Sequence, residues 1–258
     1  RFDGENVTWS LAEPLLLDGD HLICTPGGTK GVVVALDKRT GDTVWAMTEL
    51  QDQASYCSPV LITHNGRRIL VTMTAAHVLG MDPATGKLLW SHPHHTKYDI
   101  HAVSPVYGDG LLYYSSGYGS GGGALKVAED GSAVTPLWTD DTLDCQHHGV
   151  VLEKGYIYGG AQRNRFVCLA LATGKVMWDE KKISQADTVY ADGMLYVYEG
   201  PRKGIVSLVR PSPDGLDIQG QFPVTAGTGK HWAHPTLAHG MLLIRRGDAV
   251  IAYDIKAT

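Results

Sequence analysis

Apolar and polar positions along the chain alternate in short runs rather than at helical spacing. EPLLLDGDHLIC from Glu13, SPVLITHNGRRILV from Ser58 and SPVYGDGLLYYS from Ser104 share one form. Each has an alternating segment, a turn centred on glycine, and a second alternating segment. GVVLEKGYIYG from Gly149, TVYADGMLYVY from Thr188 and HPTLAHGMLLIR from His234 repeat it. Alternation broken by Gly, Asp and Asn turns predicts antiparallel hairpins. The last run predicts strands over about 233–238, 241–246 and 249–254, and GVVVAL from Gly31 predicts a central strand rather than a membrane segment.

A second motif follows the hairpins. ALDKRTGDTVW (35–45), GMDPATGKLLW (80–90) and CLALATGKVMW (168–178) align without a gap, with Ala170 replacing the aspartate in the third. LKVAEDGSAVTPLW (125–138) is a degenerate copy, and IAYDIKAT at the end opens another. The physics of the motif is legible. Gly supplies the positive φ of a tight corner, and the Asp side chain accepts hydrogen bonds from the corner amides. The Trp covers the seam against the neighbouring unit. Six units in 258 residues average 43 residues each. A four-stranded sheet cannot bury both faces alone, and a period of about 40–50 residues with four strands per period is the pattern of a β-propeller. The expectation is an all-β chain of four-stranded antiparallel blades forming one domain over 1–258. Its repeats run at roughly 10–50, 55–93, 100–140, 147–182, 185–225 and 231–258.

The last unit supplies three strands, so its fourth must come from elsewhere. Asn6–Trp9 resembles the fourth-strand sequences. However, Trp9 lies five residues before Pro14, whereas Trp45 precedes Pro59 by 14 and Trp90 precedes Pro105 by 15. The link must cross about 14 Å of sheet, and five extended residues reach roughly 17 Å. N-terminal closure stays open, with the spacing favouring blades upstream of this chain. The start at Arg1 fits either a removed leader or a fragment.

Composition narrows the class. Lys plus Arg number 22 against 27 Asp plus Glu, a formal charge of −5 without a basic block, which argues against nucleic acid. Hydrophobic residues at 43% supply a core, and no apolar run is long enough for a membrane span. Cys24, Cys57, Cys145 and Cys168 lack metal or redox spacing and read as buried thiols in strands. SGYGSGGG (116–123) lacks a phosphate-loop pattern and reads as a hairpin or bulge with Tyr118 at its tip.

The AxDxxTGxxxW repeat resembles the pyrroloquinoline quinone (PQQ) repeat over essentially the whole chain, Trp9 to Thr258. It is most similar to bacterial secreted PQQ-like β-propeller proteins of the quinoprotein alcohol dehydrogenase-like superfamily. DGDHLICTPGG (18–28), SSGYGSGGGALK (115–126), QHHGVVL (146–152) and TVYADGMLYV (188–197) carry that likeness. The resemblance implies a ring of about eight blades and a periplasmic or extracellular location. Its leading functional implication is a binding or scaffold module for a small molecule, a glycan or a protein, in the propeller channel or on its rim. The alternative it implies is a dehydrogenase of alcohols or sugars using PQQ with calcium. The dehydrogenases of this group carry adjacent cysteines and a set of calcium-binding carboxylates. Neither maps onto this sequence, and calcium needs six or more oxygen ligands.

Candidate ligand contacts sit where each unit leads into its first strand, at the mouth of the expected channel. They are Tyr56, His101, His147, His148, Gln185 and His234, with His231 and Trp232 beside them. Taken singly, each histidine reads as a hydrogen-bonded polar lining. Together, His101, His147 and His148 form a shared polar funnel able to hold a metal or an anion. His94 and His95 fall in a linker, and Arg163 and Asn164 on a hairpin read as a solvated turn.

Overall fold

The computed structural model describes residues 1–201 and 203–256, all of them strand, turn or irregular. Among the described residues no helix is long and apolar enough to cross a membrane. The chain divides into two compact units, Arg1–Thr139 and Asp140–Thr258.

The first unit holds three blades. Blade 1 is β1 (Leu16–Asp18), β2 (His21–Cys24), β3 (Val33–Asp37) and β4 (Thr43–Met47). Blade 2 is β5 (Val60–His64), β6 (Arg67–Met73), β7 (His77–Met81) and β8 (Leu88–Pro93). Blade 3 is β9 (Val106–Gly108), β10 (Leu111–Ser116), β11 (Gly121–Val127) and β12 (Val134–Asp140). The second unit holds blade 4, with β13 (Val150–Glu153), β14 (Tyr156–Ala161), β15 (Arg165–Ala170) and β16 (Val176–Glu180). Blade 5 follows with β17 (Ala186–Ala191), β18 (Met194–Glu199), β19 (Ile205–Arg210) and β20 (Asp217–Pro223). Blade 6 has three strands among the described residues, β21 (Thr236–Ala238), β22 (Met241–Arg246) and β23 (Ala249–Asp254). Each sheet is an antiparallel meander in chain order. The chain is all-β, a β-propeller of four-stranded antiparallel blades, as the repeat predicts.

Side-chain alternation explains why the middle strands are apolar on both faces. In β6, Ile69, Val71 and Met73 join Leu112, Tyr114 and Leu125 of blade 3. Leu70 points the other way, into Ile23, Val33 and Trp45 of blade 1. A strand with successive side chains on opposite faces buries both rows only when a sheet packs on each side. In the second unit Tyr158, Phe166 and Trp178 meet Leu195 and Val197, and Tyr198 and Val206 meet Leu242 and Ile244. Each such fully buried aliphatic contributes about 1.5–3 kcal/mol.

The corner motif works as its residues dictate. Asp82 Oδ1 accepts from the amides of Ala84 (2.9 Å) and Thr85 (3.0 Å), and Gly86, at φ 74°, donates to the Asp82 carbonyl. Asp37 does the same for Arg39 and Thr40. At Ala170 the carboxylate is missing, and the Thr173 amide turns to the Ala170 carbonyl at 3.2 Å. Trp45 Nε1 donates to Pro83 O in the next blade's corner, and Trp178 Nε1 donates to Ser212 O. A Cβ on Gly86 would run into the Trp45 ring, so the glycine is also the Trp's landing surface. The register shifts between the third and fourth strands at Ala35/Leu36, Gly80/Met81, Cys168/Leu169 and Leu208/Val209. This recurrent bulge, which the sequence pattern does not announce, adds twist beside each corner.

All four thiols are free, with Cys24 half-buried and the others buried. Cys24 and Cys168 lie in β2 and β15, whereas Cys57 and Cys145 lie in the segments before β5 and β13, outside the strands. Burial pushes the Cys57, Cys145 and Cys168 thiols up to about 12. The glycine-rich run forms the β10–β11 hairpin, with Ser116 opposite Gly121 and Tyr118 at φ 65° in its turn.

Candidate functional site

In the first unit, His101 is fully buried and fully bonded. Its Nε2 lies 2.9 Å from the Ala75 carbonyl and must carry the proton. Nδ1 therefore accepts from Ser116 Oγ at 2.7 Å. Ser116, having donated there, accepts from His94 Nε2 at 2.9 Å. The order His94 N–H to Ser116 O–H to His101 N, with His101 N–H to Ala75 O, leaves one consistent tautomer for each ring. Burial lowers the His101 pKa and takes His94 down to about 4, so both imidazoles are neutral near pH 7. His94, assigned to a linker by the sequence pattern, is thus half of the network that fixes His101. Tyr56, at φ 69°, lines a polar cavity of about 280 Å³, and its hydroxyl accepts from the Trp9 amide at 3.0 Å.

The second unit is built differently. The first strands β13, β17 and β21 of its three blades pack in sequence. His147 and His148 precede β13, Asp187 sits in β17 opposite Tyr198, and His234 precedes β21. His147 and His148 stack with ring centroids 4.0 Å apart. Trp232 meets His147 edge-on at 5.3 Å, and Lys230 Nζ lies 3.9 Å over the Trp232 ring. His234 Nε2 is 2.8 Å from the His147 carbonyl and 3.2 Å from Asp187 Oδ1.

Asp187 and His148 are both at 0% exposure. Neither Asp187 carboxylate oxygen has a hydrogen-bond partner in the protein, nor has either ring nitrogen of His148. The close approach of His234 to Asp187 is a contact without hydrogen-bond alignment. His147 Nε2 and Thr188 Oγ1 are likewise buried and unpartnered. Burial raises the Asp187 pKa well above the usual carboxylate range. It pushes His148 down to about 2 and His147 down to about 4, each helped by the neighbouring histidines. The imidazoles are therefore neutral, with lone pairs free.

Gln185, two residues before Asp187, faces a separate cavity of about 380 Å³ with Gln162, Asn164, Lys181 and Lys203. Its Nε2 donates to the Gln162 carbonyl. Beneath the rim, the buried Glu199 carboxylate accepts from Ser184 Oγ at 2.9 Å and pairs with Lys203 Nζ at 3.2 Å. Arg163 and Asn164 lie in the β14–β15 turn, with Asn164 at φ 58°. The structure brings His147, His148 and His234 together in the second unit. Within the first unit it joins His101 to His94 and Ser116. Asp187 escapes sequence reasoning because it reads as one polar position of an alternating strand. Its offset of one residue before the Thr188 hairpin run is the only sequence signal for it.

The family described as outer membrane protein assembly factor BamB (PQQ_2) matches residues 4–180. A curated relative, quinoprotein alcohol dehydrogenase PedH of Pseudomonas putida, is 27% identical over 166 residues. That stretch is 60% of this chain, and the chain spans 26% of the length of that relative. Among solved structures, BamB from Moraxella catarrhalis superposes with a TM-score of 0.70 at 17% identity, covering 93% of this chain and 70% of that one. Quinohemoprotein alcohol dehydrogenase from Comamonas testosteroni gives 0.55 at 12% identity, covering 87% and 44%. These likenesses show the fold. The family match spans more than half of the sequence, and the chain belongs to that family.

Proposed function

We propose that this member of the BamB-described PQQ_2 family is a binding or scaffold module of the cell envelope, periplasmic or extracellular, whose partner is a protein segment. The family match over residues 4–180 carries the reading. An exposed apolar surface in the first unit supports it: Trp9, Leu11, Leu15 and Leu17 are 69%, 52%, 54% and 62% exposed. Apolar groups concentrated on a surface favour contact with another chain. The test is fluorescence anisotropy of labelled extended peptides copied from strands of outer-membrane β-barrels. Saturable binding that Leu15→Lys and Leu17→Lys weaken is the expected result. A folded protein that binds none of them contradicts the reading.

The second reading, a PQQ-dependent dehydrogenase with calcium, is favoured by the relationship to PedH. The residues of this chain do not fit that cofactor pair. Calcium takes six to eight hard oxygen ligands, whereas the buried Asp187 carboxylate has the His234 imidazole 3.2 Å away. The four cysteines are separated in sequence, so no adjacent pair faces a quinone. Titration with PQQ, with and without calcium, followed by tryptophan fluorescence, separates the two readings. Saturable, calcium-dependent quenching with dye reduction would replace the scaffold reading by the enzyme.

A further inference from the structure

The cavity beside Gln185 runs against the charge of the chain. It holds about 380 Å³ and is framed by the β14–β15 turn, the link from β16 to β17 and the β18–β19 turn. Two lysines (Lys181 and Lys203), three amides (Gln162, Asn164 and Gln185) and the Ser184 hydroxyl line it. Among the described residues its wall has no carboxylate and no aromatic ring, although the whole chain is acidic, at −5. Cavities of the first unit differ. The one of about 280 Å³ has Glu5 and Asp99 at its wall, and one of about 540 Å³ has Asp109 and Glu129 beside Lys126. The frame of the second unit's cavity is tied together. Gln185 Nε2 donates to the Gln162 carbonyl, the Gly200 amide to the Gln185 carbonyl and the Gln162 amide to the Asp144 carbonyl, each at 2.8 Å. Glu199, 1% exposed, backs the wall. Its Oε2 accepts from Ser184 Oγ at 2.9 Å and pairs with Lys203 Nζ at 3.2 Å. Burying a carboxylate is costly, and here the buried charge fixes a lysine. One of the three ammonium N–H groups of Lys203 is spent on Glu199, and two remain.

We propose that this cavity binds a small polyhydroxylated acid, a sugar acid or a sugar phosphate. The lysines select the charge. Ammonium groups of Lys181 and Lys203 make charge-assisted hydrogen bonds to carboxylate or phosphate oxygens, about twice as strong as neutral ones. No acidic side chain at the described wall opposes them. The amides select the rest of the molecule. The side chains of Gln162, Asn164 and Gln185 each offer donors and an acceptor, which hydroxyl groups can pair. An apolar skeleton would cover these groups and leave them unpaired, at a cost. The volume selects the size. At about 380 Å³ the cavity lies near the lower end of the roughly 300–1,000 Å³ of small-molecule sites, room for one sugar ring rather than a long chain. A frame already tied by its own hydrogen bonds loses little freedom when the ligand enters. The site uses none of the residues of the protein-partner reading and is independent of it.

The test is calorimetric titration of the chain with glucuronate, glucose 6-phosphate, glucose and inorganic phosphate in parallel. One saturable site for glucuronate or glucose 6-phosphate and no response to glucose are expected. Which of the two acids binds tells a carboxylate site from a phosphate site. Lys181 is exposed and takes no part in the Glu199 pair, so Lys181→Ala keeps the fold. It lowers the affinity at least about 10-fold, the worth of one hydrogen bond to a charged group. Asn164→Gly, which suits the backbone φ of 58°, weakens binding as well. Lys154→Asn, at an exposed lysine of the β13–β14 turn, leaves it unchanged. In NMR spectra the side-chain amide signals of Gln162, Asn164 and Gln185 shift as the acid is added. No saturable binding of either acid by the folded wild type overturns the proposal. So does binding that Lys181→Ala leaves unchanged, or glucose binding as tightly as the acids. Inorganic phosphate binding as tightly as glucose 6-phosphate also overturns it, leaving an adventitious ion only.

Discussion

Two histidine groups lead into first strands of this chain, and they are built on opposite terms. In the first unit His94, Ser116 and His101 form a closed chain of donors and acceptors ending on the Ala75 carbonyl. In the second unit His148 and Asp187 are equally buried, yet their polar atoms are unpartnered. The same residue type at the same kind of position is therefore a structural fastening in one unit and an unspent hydrogen-bonding capacity in the other. Histidine at a blade's leading edge does not decide between these roles. The neighbour it finds does.

The largest effect expected from this contrast is on acid stability. The unfolded chain protonates its imidazoles near 6.5, whereas folded His147 and His148 do so only at about 4 and about 2. As pH falls below 6.5 the unfolded state takes up protons that the folded state refuses, so these two groups lose stability, His147 down to about pH 4 and His148 down to about pH 2. The two groups together cost on the order of several kcal/mol by pH 4. Urea unfolding across that range measures it, and His148→Gln should flatten the decline. A decline that His148→Gln leaves unchanged would place the titration elsewhere.

Next in size is the fastening itself. His101→Ala removes both ring bonds, leaves the Ala75 carbonyl and Ser116 hydroxyl short of a partner, and opens a cavity. The expected cost is about 2–4 kcal/mol in urea unfolding. Ser116→Ala, which orphans His101 Nδ1 and His94 Nε2 without a large cavity, should cost about 1–3 kcal/mol. Losses of only a few tenths in both would remove the claim that the first unit's network is structural.

The smallest effects belong to the corners, where the two units also differ. Asp82→Ala removes two amide bonds and should cost about 1 kcal/mol. Ala170→Asp, which restores the motif in the second unit, should gain at most about the same. Thermal unfolding of both variants checks the sign of each.

The fold was legible because its determinants are local. Asp82, Thr85, Gly86 and Trp90 stand at fixed offsets, and a corner can be recognised without knowing what packs on it. Trp45 reaching Pro83 of the next blade follows from the same repeat. The site was only half legible. His147, His148 and His234 announce themselves as histidines beside glycine hairpins. Asp187 does not, because its position in ADTVYA looks like an ordinary polar step of a strand. Its character comes from burial and from His234, 47 residues later in the sequence. The fixed state of His101 was hidden for a similar reason. Its partners lie 15 residues after it and 26 before it, brought together only by the sheets.

Asp187→Asn, unfolded in urea at pH 8, tests the contrast most directly. The folded carboxyl holds its proton above the pH at which the unfolded one, near 3.8, releases it. Stability is thus lost as pH rises from 3.8 towards the raised value, and at pH 8 the wild type bears that cost. Replacing the carboxyl by an amide that does not ionise is predicted to remove that loss and stabilise the protein relative to wild type at pH 8, while His101→Ala under the same conditions destabilises it. A loss of stability in Asp187→Asn comparable with that of His101→Ala would contradict the account, because Asp187 would then be a fastening like the one in the first unit.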